Sequence, residues 1–125
     1  MPLRLALLTA ELSSDAAGVW AALSGLGAAL GELGMSVGVI GMRDRSGRSV
    51  ETALGERLDV TVPLQHAGPR ALAWCPGMPA ALARFAPDVV HTHGLWLYNS
   101  LACLRHHRAH RTPYVVQPHG MLDPW

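Results

Sequence analysis

The predicted fold of this chain is organised around the stretch PDVVHTHGLW, residues 87–96. Pro87 fixes φ and disfavours helix in the residue before it, and the β-branched pair Val89 and Val90 favours a strand. The strand then ends in His91, Thr92, His93 and a glycine. Open α/β sheets bind ligands at the carboxyl ends of their strands, so the histidines are candidates for a binding site. A β-turn that happens to hold two histidines is the alternative, and spacing alone does not separate the two.

On both sides of this stretch, predicted strands and helices alternate along the chain. Short apolar runs predict five strands, at residues 3–9, 36–41, 58–62, 89–93 and 114–116. Helical spacing of apolar residues predicts helices between them. The alternation predicts an α/β, Rossmann-like three-layer sandwich with a mostly parallel sheet and strand order 3-2-1-4-5.

Two helices are predicted in more detail. The first ends at Gly34 and has one apolar stripe, formed by Val19, Leu23, Leu26, Leu30 and Leu33. The helix after residue 96 begins at Asn99 or Ser100 as its cap and ends before Pro113. Its predicted inner line consists of Leu97, Leu101, Leu104 and Arg108.

Composition limits the class of protein. A chain of 125 residues with 50% hydrophobic and 15% charged residues is one globular domain, not a disordered segment. The net charge of +1 gives no electrostatic case for nucleic acid as a partner. Cys75 and Cys103 lie far apart, so neither a disulfide framework nor a zinc ribbon is indicated. The apolar opening is too short for a membrane span, and a cytoplasmic location is expected.

Three loops follow the carboxyl ends of the first, fourth and fifth strands, at residues 10–18, 91–97 and 117–123. These strands are neighbours in the predicted order, so we expect the loops to converge on one cleft. Because the chain turns at Gly94, we expect His93 but not His91 to reach that cleft. In the first loop, Gly18 lies at the mouth of a helix, where free N–H groups favour an anion.

The segments DVVHTHGLW (88–96) and PYVVQPHGMLDPW (113–125) resemble the amino-terminal half of family 4 glycosyltransferases. These are GT-B enzymes that transfer a sugar with retention of configuration. The resemblance implies that residues 1–125 are a truncated acceptor-side domain whose carboxyl-terminal donor domain is absent, so this piece alone is expected to be inactive. It implies a nucleotide-sugar donor, a glycan, lipid-linked or small-molecule acceptor, a place in cell-envelope polysaccharide synthesis, and no metal or other cofactor.

The resemblance also implies roles for individual residues. His119 occupies the position of a family histidine at the reacting sugar or the donor phosphate, and is the candidate catalytic residue. His93, Gly94 and Trp96 are assigned to the acceptor side. Ala17-Gly18 resembles a glycine pair near the donor diphosphate, with alanine in place of the first glycine, so an added methyl group puts that contact in doubt.

Two other functions fit parts of the sequence. A non-catalytic Rossmann-like module that binds an anion or glycan is the main alternative. A metal binder built from His106, His107 and His110 is the weaker one, because a basic helix end explains the same residues. That basic end is also suited to peripheral contact with the anionic inner face of a membrane. A truncated domain leaves an apolar face or sheet edge uncovered, so self-association is expected.

Overall fold

The computed structural model describes residues 2–12, 17–43, 60–65 and 67–119. The five strands are β1 (Arg4–Leu12), β2 (Ser36–Arg43), β3 (Val60–Leu64), β4 (Val89–His93) and β5 (Tyr114–Gln117). The three helices are α1 (Ala17–Glu32), α2 (Met78–Phe85) and α3 (Tyr98–His110), and one 3-10 turn covers Arg70–Leu72. Residues 13–16 and 120–123, from two of the three loops expected to converge, lie outside the described residues.

The strands form a single sheet in the order β3-β2-β1-β4-β5. Each neighbouring pair is parallel. The predicted α/β, Rossmann-like class is therefore confirmed, and β4 lies between β1 and β5. Register places His91 beside Leu7 of β1 and beside Val115 of β5, so these three residues share one face of the sheet.

Two apolar layers hold the helices on opposite faces of the sheet. Leu5, Leu7, Val37 and Val39 point to one face and pack with Leu23 of α1. The alternate strand residues point to the other face, where α2 and α3 cover them. That second cluster contains Ala6, Leu8, Ile40, Val90, Cys75, Met78, Ala81, Leu82, Phe85, Tyr98, Ala102 and Cys103. The result is the predicted three-layer arrangement of helix, sheet and helices.

Some predicted boundaries are wrong. The third strand was expected to close before Pro63, but Pro63 lies inside β3 and pairs with Gly41. An edge strand can contain proline because one side of its backbone has no strand to bond. Leu33 was placed on the apolar stripe of α1, yet it follows the end of that helix and is 79% exposed. Gly34 has the positive φ, 91°, that a helix-terminating glycine adopts.

The predicted inner face of α3 is also wrong. Of the expected line, Leu97, Leu101 and Leu104 are only partly buried and Arg108 is exposed. The buried residues are Tyr98, Asn99, Ala102, Cys103 and His106. Polar residues therefore occupy part of the inner face, which hydrophobic spacing cannot detect. Two of their polar atoms have partners there: Asn99 Nδ2 donates to Thr92 Oγ1 at 2.9 Å, and His106 Nε2 lies 3.2 Å from Thr112 Oγ1.

A cluster around Arg4 joins the start of β1 to the connection between α2 and β4. The backbone N–H of Arg4 donates to Asp88 Oδ2 at 2.8 Å, and the N–H of Asp88 donates to the Arg4 carbonyl at 2.8 Å. The Arg4 guanidinium donates to the carbonyl of Phe85 and lies over the Phe85 ring, 4.4 Å from its centroid. This cluster fixes where β4 enters the sheet.

No helix within the described ranges is long and apolar enough to cross a membrane. The exposed large apolar side chains include three consecutive residues of the edge strand β5: Tyr114 (41%), Val115 (53%) and Val116 (41%).

Substitution of Gly38 tests how tightly the Phe85 ring is packed. A Cβ at Gly38 would lie 2.7 Å from Phe85 Cε2, and the ring is covered by Arg4. We expect Gly38→Ala to lower the free energy of unfolding by roughly 1–3 kcal/mol, as overpacking does. Gly25→Ala is the matched control: it lies in α1 with nothing within 4 Å of the added Cβ, and should raise stability by roughly 0.5–1 kcal/mol. Urea unfolding of both variants measures the difference, and equal stabilities would contradict this packing.

Candidate functional site

The candidate site lies at the carboxyl ends of β4 and β5. His93 and Gln117 are paired at the last position of the two strands, and the N–H of Gly94 donates to the Gln117 carbonyl at 2.8 Å. The backbones that follow, residues 94–97 and 118–119, therefore leave the sheet side by side. This juxtaposition is the part of the predicted convergence that the described residues contain.

Three imidazoles stack along this edge. His91 and His93 lie with ring centroids 4.3 Å apart, and His93 and His119 with centroids 5.1 Å apart. The expectation that His91 and His93 diverge is wrong, because both belong to β4 and residues two apart share a face. His93 is the most enclosed, at 2% exposure, whereas His91 and His119 are partly buried.

His93 contacts His119 directly. Nδ1 of His93 lies 2.8 Å from Nε2 of His119, which is a hydrogen bond between two ring nitrogens. The other nitrogen of His93, Nε2, is buried and has no hydrogen-bond partner in the part of the chain that the structure describes. Of the two ring nitrogens of His93, only Nδ1 has a hydrogen-bond partner among the described residues, and that partner is His119.

Asn99 fixes the end of β4 from beneath. Its side-chain Nδ2 donates to Thr92 Oγ1 and to the carbonyl of His93, each at 2.9 Å, and the residue is completely buried. Sequence reasoning treated Asn99 as a helix cap and missed this role. The N-terminal cap is Leu97, which makes no side-chain hydrogen bond. The available signal was a polar residue in the first helical turn after the strand that carries the candidate histidines.

Backbone conformation singles out Trp96 and His119. Among the described residues, five other than glycine have positive φ: Ala86 and Arg111 are C-caps of helices, and Ala73 follows the 3-10 turn. Trp96 (φ 64°) and His119 (φ 53°) instead lie in the loops after β4 and β5. Such conformations cost of order 1–3 kcal/mol each and cluster at functional sites. Trp96 is also 74% exposed, so its position is not explained by packing.

Burial controls the charge of these histidines. Burial lowers the pKa of His93 from 6.5 to about 4, and repulsion from His91 and His119 adds to the shift. Burial also lowers the pKa of His91; a hydrogen bond with Gln117 opposes that shift and repulsion from His119 adds to it. His93 is therefore neutral at pH 7 and can serve as either a donor or an acceptor at each nitrogen.

The remaining sequence candidates lie at helix ends. Ala17 and Gly18 begin α1, so their backbone N–H groups belong to the first turn, where helices carry free donors. At the end of α3, His107 Nδ1 donates to the Thr112 carbonyl at 2.8 Å, and the rings of His106 and His110 lie 4.5 Å apart. No group of three or more His, Cys, Asp or Glu among the described residues has a geometry that holds a metal ion.

Solved structures share this fold. Two crystal structures of the C-terminal domain of a hydrogenase from Pyrococcus furiosus match with TM-scores of 0.66 and 0.64, at 10% and 12% identity. They cover 92% and 93% of this chain, and 91% of each of those chains is covered. A UDP-N-acetylglucosamine 2-epimerase matches with a TM-score of 0.59 at 14% identity, over 93% of this chain and 33% of the epimerase. At these identities the similarity concerns the fold. No curated protein sequence matches significantly.

The family model described as glycosyl transferase 4-like domain matches residues 17–125. This chain belongs to that family. The match covers α1, the histidine-bearing strand β4 and the loop that carries His119. The resemblance seen in the sequence is thereby confirmed, and the histidine stack lies within the glycosyl transferase 4-like domain.

The burial of His93 predicts a pH dependence of stability. In the unfolded chain His93 takes up a proton below pH 6.5, but in the folded domain only near pH 4. The free energy of unfolding should therefore fall as pH drops from 6.5 to 4 and be unaffected by this group above 6.5. At about 1.4 kcal/mol per pKa unit the loss is at most roughly 3 kcal/mol.

Urea unfolding between pH 7 and pH 4.5 measures this loss, with His93→Asn as the comparison. The variant cannot take up the proton, so its stability should fall less steeply over the same range. Equal slopes for the two chains would show that His93 does not titrate in this way.

Proposed function

We propose that this glycosyl transferase 4-like domain is the acceptor-side half of a retaining glycosyltransferase. The observation that carries the proposal is the placement of His119 and Trp96, both with strained backbones, on adjacent loops at the carboxyl edge of the sheet. Ligands of open α/β sheets bind at this edge. The donor is a nucleotide sugar, and the acceptor is a glycan, a lipid-linked sugar or a small molecule, as in the synthesis of cell-envelope polysaccharide.

In the proposed reaction His119 acts on the transferred group. Its partly exposed imidazole donates a hydrogen bond to a hydroxyl of the reacting sugar or to the departing phosphate. Stabilising the charge that develops on the diphosphate supplies most of the rate, so a fixed donor is worth more than a mobile one. A second Rossmann-like domain holds the donor, and closure of the two domains aligns the acceptor hydroxyl with the anomeric carbon.

Trp96 and Gly94 form the proposed acceptor side. The 74% exposed indole offers a flat apolar face on which a sugar ring stacks. Gly94, with φ 86°, lets the backbone turn sharply between the buried His93 and the exposed Trp96. At the start of α1, backbone N–H groups of Ala17 and Gly18 would approach the donor diphosphate.

The proposed setting is the cytoplasm or its membrane surface, with no metal required. Arg105, Arg108 and Arg111 are exposed around the end of α3. Arginines grouped in this way attract anionic lipid headgroups. Such contact would bring the domain to a lipid-linked acceptor.

Transfer in trans tests the proposal. We expect the chain mixed with a carboxyl-terminal donor domain of the same family to transfer sugar from a panel of nucleotide sugars. His119→Ala should lower transfer by roughly 10²–10⁴-fold while glycan binding is retained. Trp96→Ala should weaken glycan binding by roughly 3–10-fold through lost stacking. Leu33→Ala, which truncates a similarly exposed apolar residue outside the site, is the control and should change neither.

The same experiment separates the alternatives. Glycan binding that depends on Trp96, without transfer from any donor, would identify a non-catalytic binding module. If the chain neither binds glycan nor supports transfer, the transferase proposal and the binding-module alternative are both contradicted.

We also propose that the chain self-associates through β5, the edge strand with three consecutive exposed apolar residues. Among the described strands, β5 is paired on one side only, and an edge of this kind pairs readily with a second copy. Light scattering of a concentration series should show dimers or larger species. Val115→Lys places a charge on the edge and should reduce the average mass, and a parent chain that stays monomeric at high concentration would refute this interface.

A further inference from the structure

The hydrogen bond between His93 and His119 can form with its proton on either ring. Two ring nitrogens 2.8 Å apart share one proton, because one must donate and the other accept. Either His93 donates from Nδ1 to a bare Nε2 of His119, or His119 donates from Nε2 to a bare Nδ1 of His93. Each neutral ring carries one proton, so this choice also decides the state of both remaining nitrogens.

The buried Nε2 of His93 favours one of these two arrangements over the other. If His119 donates, His93 must carry its proton on Nε2, which is buried without a partner among the described residues. A buried N–H without an acceptor is among the rarest defects in folded proteins, whereas a bare acceptor is tolerated more often. The arrangement in which His93 donates leaves only a bare acceptor at Nε2, so it is the favoured one.

The surroundings hold His93 in place for this contact. Asn99 fixes the backbone carbonyl of His93, and His91 stacks on one side of its ring. His93 therefore has little freedom to turn its Nδ1 away from His119. By contrast, His119 is only partly buried and lies two residues after the end of β5.

We infer that His93 is a positioning residue that holds His119 in the tautomer with its proton on Nδ1, so that His119 offers an Nδ1–H donor to the substrate. This inference rests on the proposed role of His119 in sugar transfer. It gives His93 a function different from direct acceptor contact. A donor whose proton is placed before substrate arrives needs no reorganisation during the reaction.

The tautomers can be observed in the free chain. Long-range ¹H–¹⁵N correlation spectra at about pH 8 distinguish protonated from bare nitrogens in each imidazole. We expect His93 and His119 both to carry the proton on Nδ1. In His93→Leu, which has no donor, His119 should lose this preference and average between its two tautomers. In His93→Asn the side-chain amide can still donate, and the preference should be kept at least in part.

Rescue by asparagine separates positioning from a merely structural role. A proton on Nε2 of His119 in the parent chain, or tautomers averaged equally there, would overturn the inference without any variant having to fold. An unchanged His119 in His93→Leu would overturn it as well. The spectra are recorded without donor or acceptor, so a failure of the transfer experiment leaves this result standing, and the reverse also holds.

Discussion

The parallel pairing of β4 between β1 and β5 sets the geometry of both the sheet and the candidate site. Its register aligns Leu7, His91 and Val115 across three strands, and its last residue is paired with Gln117. Asp88 and Arg4 set where β4 begins through two hydrogen bonds: the Arg4 N–H donates to the Asp88 carboxylate, and the Asp88 N–H donates to the Arg4 carbonyl. A shift of one residue would turn both histidines to the face covered by α2 and α3, so site and core are fixed by the same register.

Much of the fold could be predicted because its signals are local. Pro87 and the valines after it predict β4, and the alternation of apolar strand segments with helices predicts the order of strands in the sheet. The inner face of α3 could not be predicted in this way. Asn99 and His106 are buried there because Thr92 and Thr112 supply hydrogen-bond partners, and those partners come from other elements. Hydrophobic spacing describes apolar contact and contains no information about such pairs.

The candidate site, like the fold, could be predicted from the sequence only in part. Residue type and resemblance placed His119, His93 and Trp96 at one edge of the sheet. The stacked arrangement of the histidines could not be foreseen, because it depends on the register of β4 against β5 and on the turn that brings His119 back over His93. The left-handed backbone of Trp96 is likewise set by the loop that holds it, since a bulky residue rarely adopts that conformation.

The histidine stack lowers the stability of the fold. Burial of His93 leaves Nε2 without a partner in the described chain, which weakens the fold relative to an apolar residue of similar size. Burial also lowers the pKa of His93 to about 4, which weakens the fold only below pH 6.5. The neighbouring loops add strained backbone at two residues. Packing does not require any of these features, because the two apolar layers are formed by other residues. The features that weaken the fold are therefore concentrated at one edge of the sheet, next to the exposed Trp96, where we propose that the acceptor binds.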